Sequence, residues 1–175
     1  ILWGGAGADI IDGGAGVDRA SYTDAKAGVK ASLANTALNT GDALGDTYVS
    51  IENLQGSKYN DTLYGDTANN TLYGYNGADR MYGGSGNDRV YGQNDNDYLY
   101  GQNGDDLLYG GAGNDYLYGG NGADRLQGDA GADRFVIAGV GTFGALDRIV
   151  DFGVSEGDWV QFSSNILSGY DALDD

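Results

Sequence analysis

The 175-residue chain contains no cysteine, no proline and no histidine. These absences exclude a Ser-His-Asp triad, a Cys-His pair and any zinc site built from imidazole or thiolate. Glutamate is nearly missing as well, since the acids are 24 Asp and only Glu52 and Glu156. Lys and Arg together number nine, so the formal net charge is −17. That sign argues against a nucleic-acid partner or an anionic membrane surface. No apolar run approaches the ~20 residues of a membrane-spanning helix. The chain opens inside a motif, Ile1-Leu2-Trp3-Gly4-Gly5, without an initiator Met, and is expected to be a piece of a longer protein.

The abundant residues are equally selective. Asp in place of Glu suggests short carboxylates held in turns, as hard-cation sites require. Gly occurs 33 times, and the excess is periodic. From Gly56 to Val136 the chain divides into nine units of nine residues, beginning at Gly56, Gly65, Gly74, Gly83, Gly92, Gly101, Gly110, Gly119 and Gly128. Two more begin at Gly4 and Gly13. All eleven have Gly at position one, eight have Gly at position four, and ten have Asp at position six, with Asn70 the exception. Position eight of the nine-unit block is always apolar: Leu63, Leu72, Met81, Val90, Leu99, Leu108, Leu117, Leu126 and Phe135. Positions one to six read as a turn in which Gly supplies positive φ, and positions seven to nine as a short strand with position eight inward. One unit cannot bury its side chain alone, so neighbours must stack.

The pattern resembles the RTX (hemolysin-type) calcium-binding nonapeptide G-G-x-G-x-D-x-U-x. The flanks are similar to R-modules of bacterial exoenzymes such as alginate epimerases. The resemblance implies an all-β fold: a right-handed parallel β-roll (a β-helix solenoid) with calcium-binding turns and a C-terminal β cap. It also implies two units per coil, so residues eighteen apart stack, and the nine units make a roll about 22 Å long. One turn column then carries Asp61, Asp79, Asp97, Asp115 and Asp133, and the other Asn70, Asp88, Asp106 and Asp124. Stacked carboxylates repel unless a cation lies between them, and Ca²⁺ accepts six to eight oxygens in irregular geometry. Four sites are expected in the first column. The second should hold two good sites and a weaker one beside Asn70. Carbonyls of Gly74, Gly77, Gly83, Gly84, Gly86, Asn87, Gly92, Gly101, Gly104, Gly110, Gly111, Gly113, Asn114, Gly119, Gly120, Gly122 and Gly131 are the expected backbone ligands. Position four is Tyr59, Ala68 and Asp95 in three units; the turns at Gly56 and Gly65 are therefore expected to be poor in metal. Asp9 and Asp18 fall on opposite columns and must find partners in the interruption or upstream. Asp147 is a further candidate, continuing the column of Asp124.

Four segments follow: residues 1–21, the first two repeats; 22–55, an irregular β insertion continuing the roll, with a looped-out excursion as the alternative; 56–136, the nine-repeat block; and 137–175, a cap. Phe135, Ile149, Phe152, Trp159 and Phe162 are the candidate plug. Position nine is Tyr in seven consecutive units, Tyr64 to Tyr118. Tyr64, Tyr82, Tyr98, Tyr100, Tyr116 and Tyr118 form a possible ligand face, with Arg80, Arg89, Arg125 and Arg134 at position seven. The expected function is a Ca²⁺-dependent folding module of a secreted or cell-surface bacterial protein. By resemblance it would be exported by type I secretion and fold outside, where calcium is abundant. The alternatives are a polysaccharide-binding accessory module, on the alginate-like resemblance, and a surface-layer or adhesin segment. No active site is recognised in the chain, although the parent could be an extracellular enzyme. Seven Ca²⁺ would bring the formal charge to about −3.

Overall fold

Alternation along the nonapeptide sets the architecture. In the computed structural model, which describes residues 1–137 and 146–162, the regular strands run from position seven through position three of the next unit. Arg80–Ser85 (β8), Arg89–Asn94 (β9), Tyr98–Asn103 (β10), Leu107–Ala112 (β11), Tyr116–Asn121 (β12) and Arg125–Ala130 (β13) are all built this way. Position seven faces out, eight in, nine out, and position one in again. This corrects the assignment of position one to the turn. Its glycines from Gly74 to Gly128 are not at positive φ. They are small because a Cβ on Gly74 would lie 2.4 Å from Asp79 Oδ2, and one on Gly119 2.1 Å from Asp124 Oδ2.

Before these strands come Ile10–Asp12 (β1), Arg19–Ser21 (β2), Lys30–Ser32 (β3), Thr47–Val49 (β4), Asn53–Gln55 (β5), Thr62–Tyr64 (β6) and Thr71–Tyr75 (β7). After them come Arg134–Ile137 (β14), Arg148–Ile149 (β15) and Trp159–Phe162 (β16). All pair in parallel. One seven-stranded sheet has the order β16-β14-β12-β10-β8-β6-β3, the other β15-β13-β11-β9-β7-β5-β2, and β1 pairs with β4. Odd and even units therefore go to opposite sheets, with an eighteen-residue register such as Leu99↔Leu117 and Leu108↔Leu126. The interruption takes part in the stack: β3 pairs with β6 and β5 with both β2 and β7. Two short 3-10 turns, Thr36–Leu38 and Gly41–Ala43, bridge β3 to β4.

The core lies between the sheets. Leu54, Leu63, Leu72, Met81, Val90, Leu99, Leu108, Leu117, Leu126 and Phe135 are all fully buried. At ~1.5–3 kcal/mol per fully buried aliphatic side chain, this row is the main apolar driving force. At the other end β15 adds beside β13 and β16 beside β14. Of the plug candidates, Phe135 is buried and Ile149 packs partly against the core. Phe152, Trp159 and Phe162 are 44%, 47% and 56% exposed. Trp159 pairs with outward-facing Arg134, which leaves Val160 as the inward residue opposite Phe135. Parts of the expected cap, 138–145 and 163–175, lie outside the described residues.

Candidate metal centre

Each turn presents its position-six side chain to the coil before it. Oδ1 of Asp79, Asp97, Asp115 and Asp133 accepts the backbone N–H of Asp61, Asp79, Asp97 and Asp115 at 2.7–2.9 Å. In the other column Asp88, Asp106 and Asp124 accept from Asn70, Asp88 and Asp106 at 2.8–2.9 Å. All of these acids are buried. Both columns extend beyond the repeats. Glu52 accepts from Asp18 N–H in the column of Asn70, and in the separate β1-β4 pair Asp46 accepts from Asp9 N–H, so the interruption supplies hydrogen-bond partners to both repeats. Asp147 accepts from Asp124 and Asp158 from Asp133. Sequence reasoning missed Glu52 and Asp158 as column members, and Asp46 as the partner of Asp9 in the separate β1-β4 pair. Their signal was available: each directly precedes a strand, as Asp does in the repeats.

The second carboxylate oxygen divides the turns into two kinds. In the units at Gly56 and Gly65 it is used locally, since Ser57 N–H donates to Asp61 Oδ2 and Asp66 N–H to Asn70 Oδ1. The Asn70 amide nitrogen also donates, to the Glu52 carbonyl. In the seven units from Gly74 onward, Oδ2 of Asp79, Asp88, Asp97, Asp106, Asp115, Asp124 and Asp133 is buried without a hydrogen-bond partner. In these seven, position two has turned to positive φ: 95° at Tyr75, 84° at Gln93, 82° at Gln102 and 65° at Asp129, with Gly at the other three. Position two is not at positive φ in Ser57 or Asp66. Asp9 Oδ2 is likewise buried and unpartnered.

Burial pushes these carboxyls up from 3.8, to about 8 for Asp79 and Asp97, about 7 for Asp106, Asp115 and Asp124, and about 6 for Asp88 and Asp133. The N–H bond from the previous coil pulls the other way, and neighbouring carboxylates push further up. A buried, half-satisfied carboxylate calls for a cation or a proton.

The surrounding turn offers only oxygen. Among the described residues no three acidic side chains converge on one point, so an ion must draw on backbone carbonyls as well. Turn carbonyls do stack along the roll: a Cβ on Gly104 would lie 1.9 Å from the Gly86 carbonyl, and one on Gly131 1.8 Å from that of Gly113. The orphan oxygens lie near position-one carbonyls: a Cβ on Gly74 would be 2.4 Å from Asp79 Oδ2 and 2.8 Å from the Gly92 carbonyl, an all-oxygen setting that fits a hard divalent cation, and Ca²⁺ best. A second ladder holds the turns in register. The position-five side chains Asn69, Asn87, Asn96, Asp105 and Asn114 accept the N–H of position five one coil later. The sequence reading had assigned this position only the backbone carbonyls of Asn87 and Asn114, and no side-chain role.

The tyrosines form two ladders. Tyr64, Tyr82 and Tyr100 stack at 4.8 Å with rings within 6° of parallel; Tyr73, Tyr91 and Tyr109 stack at 5.0–5.2 Å. Tyr118 meets Tyr100 edge-on, and Tyr98 and Tyr116 are tilted. Within the stacks the ring faces cover one another, so only edges and hydroxyls reach solvent. Such pairs contribute about 0.5–1.5 kcal/mol each to the sheets.

A family model of the RTX calcium-binding nonapeptide repeat matches residues 1–20, 55–90, 73–108, 82–117, 91–126 and 100–135, together more than half of the chain. No curated protein matches it.

Proposed function

The chain belongs to the RTX calcium-binding nonapeptide repeat family, and on that premise we propose that it is a folding module of a secreted bacterial protein, disordered until Ca²⁺ binds. The observation that carries this reading is the row of seven buried, partnerless Oδ2 atoms, each in a turn whose position two has opened. Asp79, Asp97, Asp115 and Asp133 would hold four ions on one side, and Asp88, Asp106 and Asp124 three on the other, with turn carbonyls completing each shell. Ca²⁺ supplies two positive charges where burial otherwise disfavours ionised carboxylates. Without it, like charges face one another along both columns and the Gly-rich turns carry a large ordering entropy. Binding energy then becomes folding energy, at the millimolar affinity of extracellular modules. A chain that is unfolded where calcium is scarce and folds after export would stabilise the larger protein that carries it. The test is circular dichroism with isothermal calorimetry across a Ca²⁺ titration at pH 8. Disorder without calcium and a β-rich state with about seven ions are expected; a fully folded metal-free chain would overturn the proposal.

A further inference from the structure

Phenols dominate the oxidisable side chains of this protein, which has 14 Tyr, one Met and no Cys. Met81 is fully buried, and Trp3 and Trp159 stand at opposite ends of the roll. The parallel register brings position-nine rings together, with Tyr82 opposite Tyr100 in β8 and β10, and Tyr91 opposite Tyr109 in β9 and β11. Tyr82 and Tyr100 stack at 4.8 Å and within 5° of parallel, Tyr91 and Tyr109 at 5.0 Å and within 8°. The outward edge of each ring carries the hydroxyl and, beside it, the two ortho carbons. Those are the atoms at which phenoxyl radicals couple.

Cations mark out the rings that give up an electron least readily. Lys30 lies over Tyr64 at 5.3 Å, Arg19 over Tyr73 at 4.7 Å and Arg80 over Tyr98 at 5.3 Å. Arg134 lies over Tyr116 at 5.1 Å and over Trp159 at 4.4 Å. A positive charge held against a ring is attracted by its electron-rich face and opposes removal of an electron from it. Among the described residues no cation lies over Tyr82, Tyr91, Tyr100 or Tyr109. An electron vacancy created elsewhere in a stack therefore settles on these inner rings. Tyr98, 41% exposed, is an entry point: its ring lies 5.7 Å from Tyr116, and Tyr116 lies 5.7 Å from Tyr100.

We propose that the pairs Tyr82–Tyr100 and Tyr91–Tyr109 are sites of oxidative cross-linking to dityrosine, with hydrogen peroxide, activated by a haem peroxidase, as the oxidant. Each phenol gives up one electron and its hydroxyl proton. The O–O bond of one peroxide breaks, and the two electrons and two protons reduce it to two waters. The two phenoxyl radicals join through one ortho carbon each, and the hydrogen on each of those carbons shifts to the adjacent oxygen. The product is a biaryl with both hydroxyls restored and two hydrogens fewer than the separate pair. Each bond ties one coil covalently to the next and joins residues eighteen apart. A loop-closing link restricts the unfolded chain and so favours the fold. On the calcium-dependent folding proposed above, on which this consequence rests, the cross-linked chain folds at lower calcium.

The test treats the calcium-saturated chain, its fold verified by circular dichroism for each variant, with a haem peroxidase and limiting hydrogen peroxide. The monomer is then digested and its linked peptides are identified by mass spectrometry. The expected result is that peptides joining Tyr82 to Tyr100 and Tyr91 to Tyr109 carry most of the linkage. Y100F/Y109F keeps the rings and their stacking and should lose most of the dityrosine fluorescence. Y59F/Y75F, which alters two exposed rings outside both stacks, should retain it. Linkage that follows exposure, through Tyr59, Tyr75 and Tyr98, overturns the proposal. So does equal fluorescence from Y100F/Y109F, linkage only between chains, or no dityrosine at all. A calcium titration of the oxidised monomer should give a lower folding midpoint than that of the untreated chain, and an equal midpoint refutes the stapling effect. An untreated chain that folds without calcium refutes the folding role alone, because the linkage is read by mass.

Discussion

Asp97 Oδ1 accepts the backbone N–H of Asp79 at 2.8 Å while Asp97 Oδ2, buried beside it, has no partner. One carboxylate therefore ties a coil to the one before and, on the proposed function, would do a second job by offering its free oxygen to Ca²⁺. The two jobs separate by mutation. D97N keeps an oxygen for Asp79 N–H and replaces the free oxygen with an amide. It should bind one ion fewer and raise the calcium midpoint of folding, with a modest loss of stability in excess calcium. D97A also orphans the Asp79 N–H and should cost about 1–3 kcal/mol more. Ion counting and urea denaturation in excess calcium would read both. Equal stability of D97N and D97A would show that the coil-to-coil bond contributes nothing.

The same carboxyls set the response to pH. Their pKa values in the metal-free fold lie at about 6 to 8, raised by burial, against an ordinary value of 3.8. Protonation thus favours the fold over the disordered chain. This contribution is fully present below about pH 4 and is lost as pH rises through 6 to 8. The metal-stripped protein should gain β structure on acidification from pH 8 to pH 4. The calcium midpoint should rise at pH 5.5 relative to pH 8, because protons and Ca²⁺ compete for one oxygen. Circular dichroism of metal-free protein across this range is the measurement. A metal-free fold more stable at pH 8 than at pH 4 would contradict the assignment of these shifts to buried, unpaired carboxyls.

Two glycine positions should respond in opposite directions. Gln93 and Gln102 hold φ of 84° and 82° at position two, where glycine stands in Gly84, Gly111 and Gly120. An L-residue pays ~1–2 kcal/mol there. Q93G or Q102G should therefore gain roughly 0.5–1 kcal/mol in calcium, after the added entropy of the unfolded glycine. At position one the backbone is unstrained but the space is taken. G119A drives a methyl onto Asp124 and should cost about 1–3 kcal/mol. Thermal melts in excess calcium would rank the variants.

The inward row, the eighteen-residue register and the two Asp columns were legible because each depends on residue type at fixed spacing. Leu99 and Asp97 could be placed by counting nine. The reason for glycine at Gly92 was misread, because spacing does not distinguish a positive φ from a crowded Cα. Glu52 and Asp158, which extend the columns, and Asp46, which pairs with Asp9 in the β1-β4 sheet, were missed for a related reason: their coils have irregular length, so counting fails even though each still precedes a strand. Outward exposure of Trp159 was hidden by its apolarity, since in/out phase follows from pairing with Arg134 and not from hydrophobicity.

The first two turns of the long block show how a column side chain is satisfied without an ion. In the unit at Gly56, Ser57 N–H and Oγ both reach Asp61, and Val29 N–H takes the same carboxylate from the other side. This side chain is saturated without metal. Tyr59 at position four further opposes the open conformation, which uses positive φ at Gly86, Gly104 and Gly113. Replacing both with glycine, S57G/Y59G, removes the Ser57 hydroxyl and allows positions two and four to open. The variant should bind one more Ca²⁺ than the parent chain, and its folding should depend more steeply on calcium. D61N in the same background should return the count to the parental value. An unchanged ion count in S57G/Y59G would mean that the backbone N–H at position two does not decide which turns take metal.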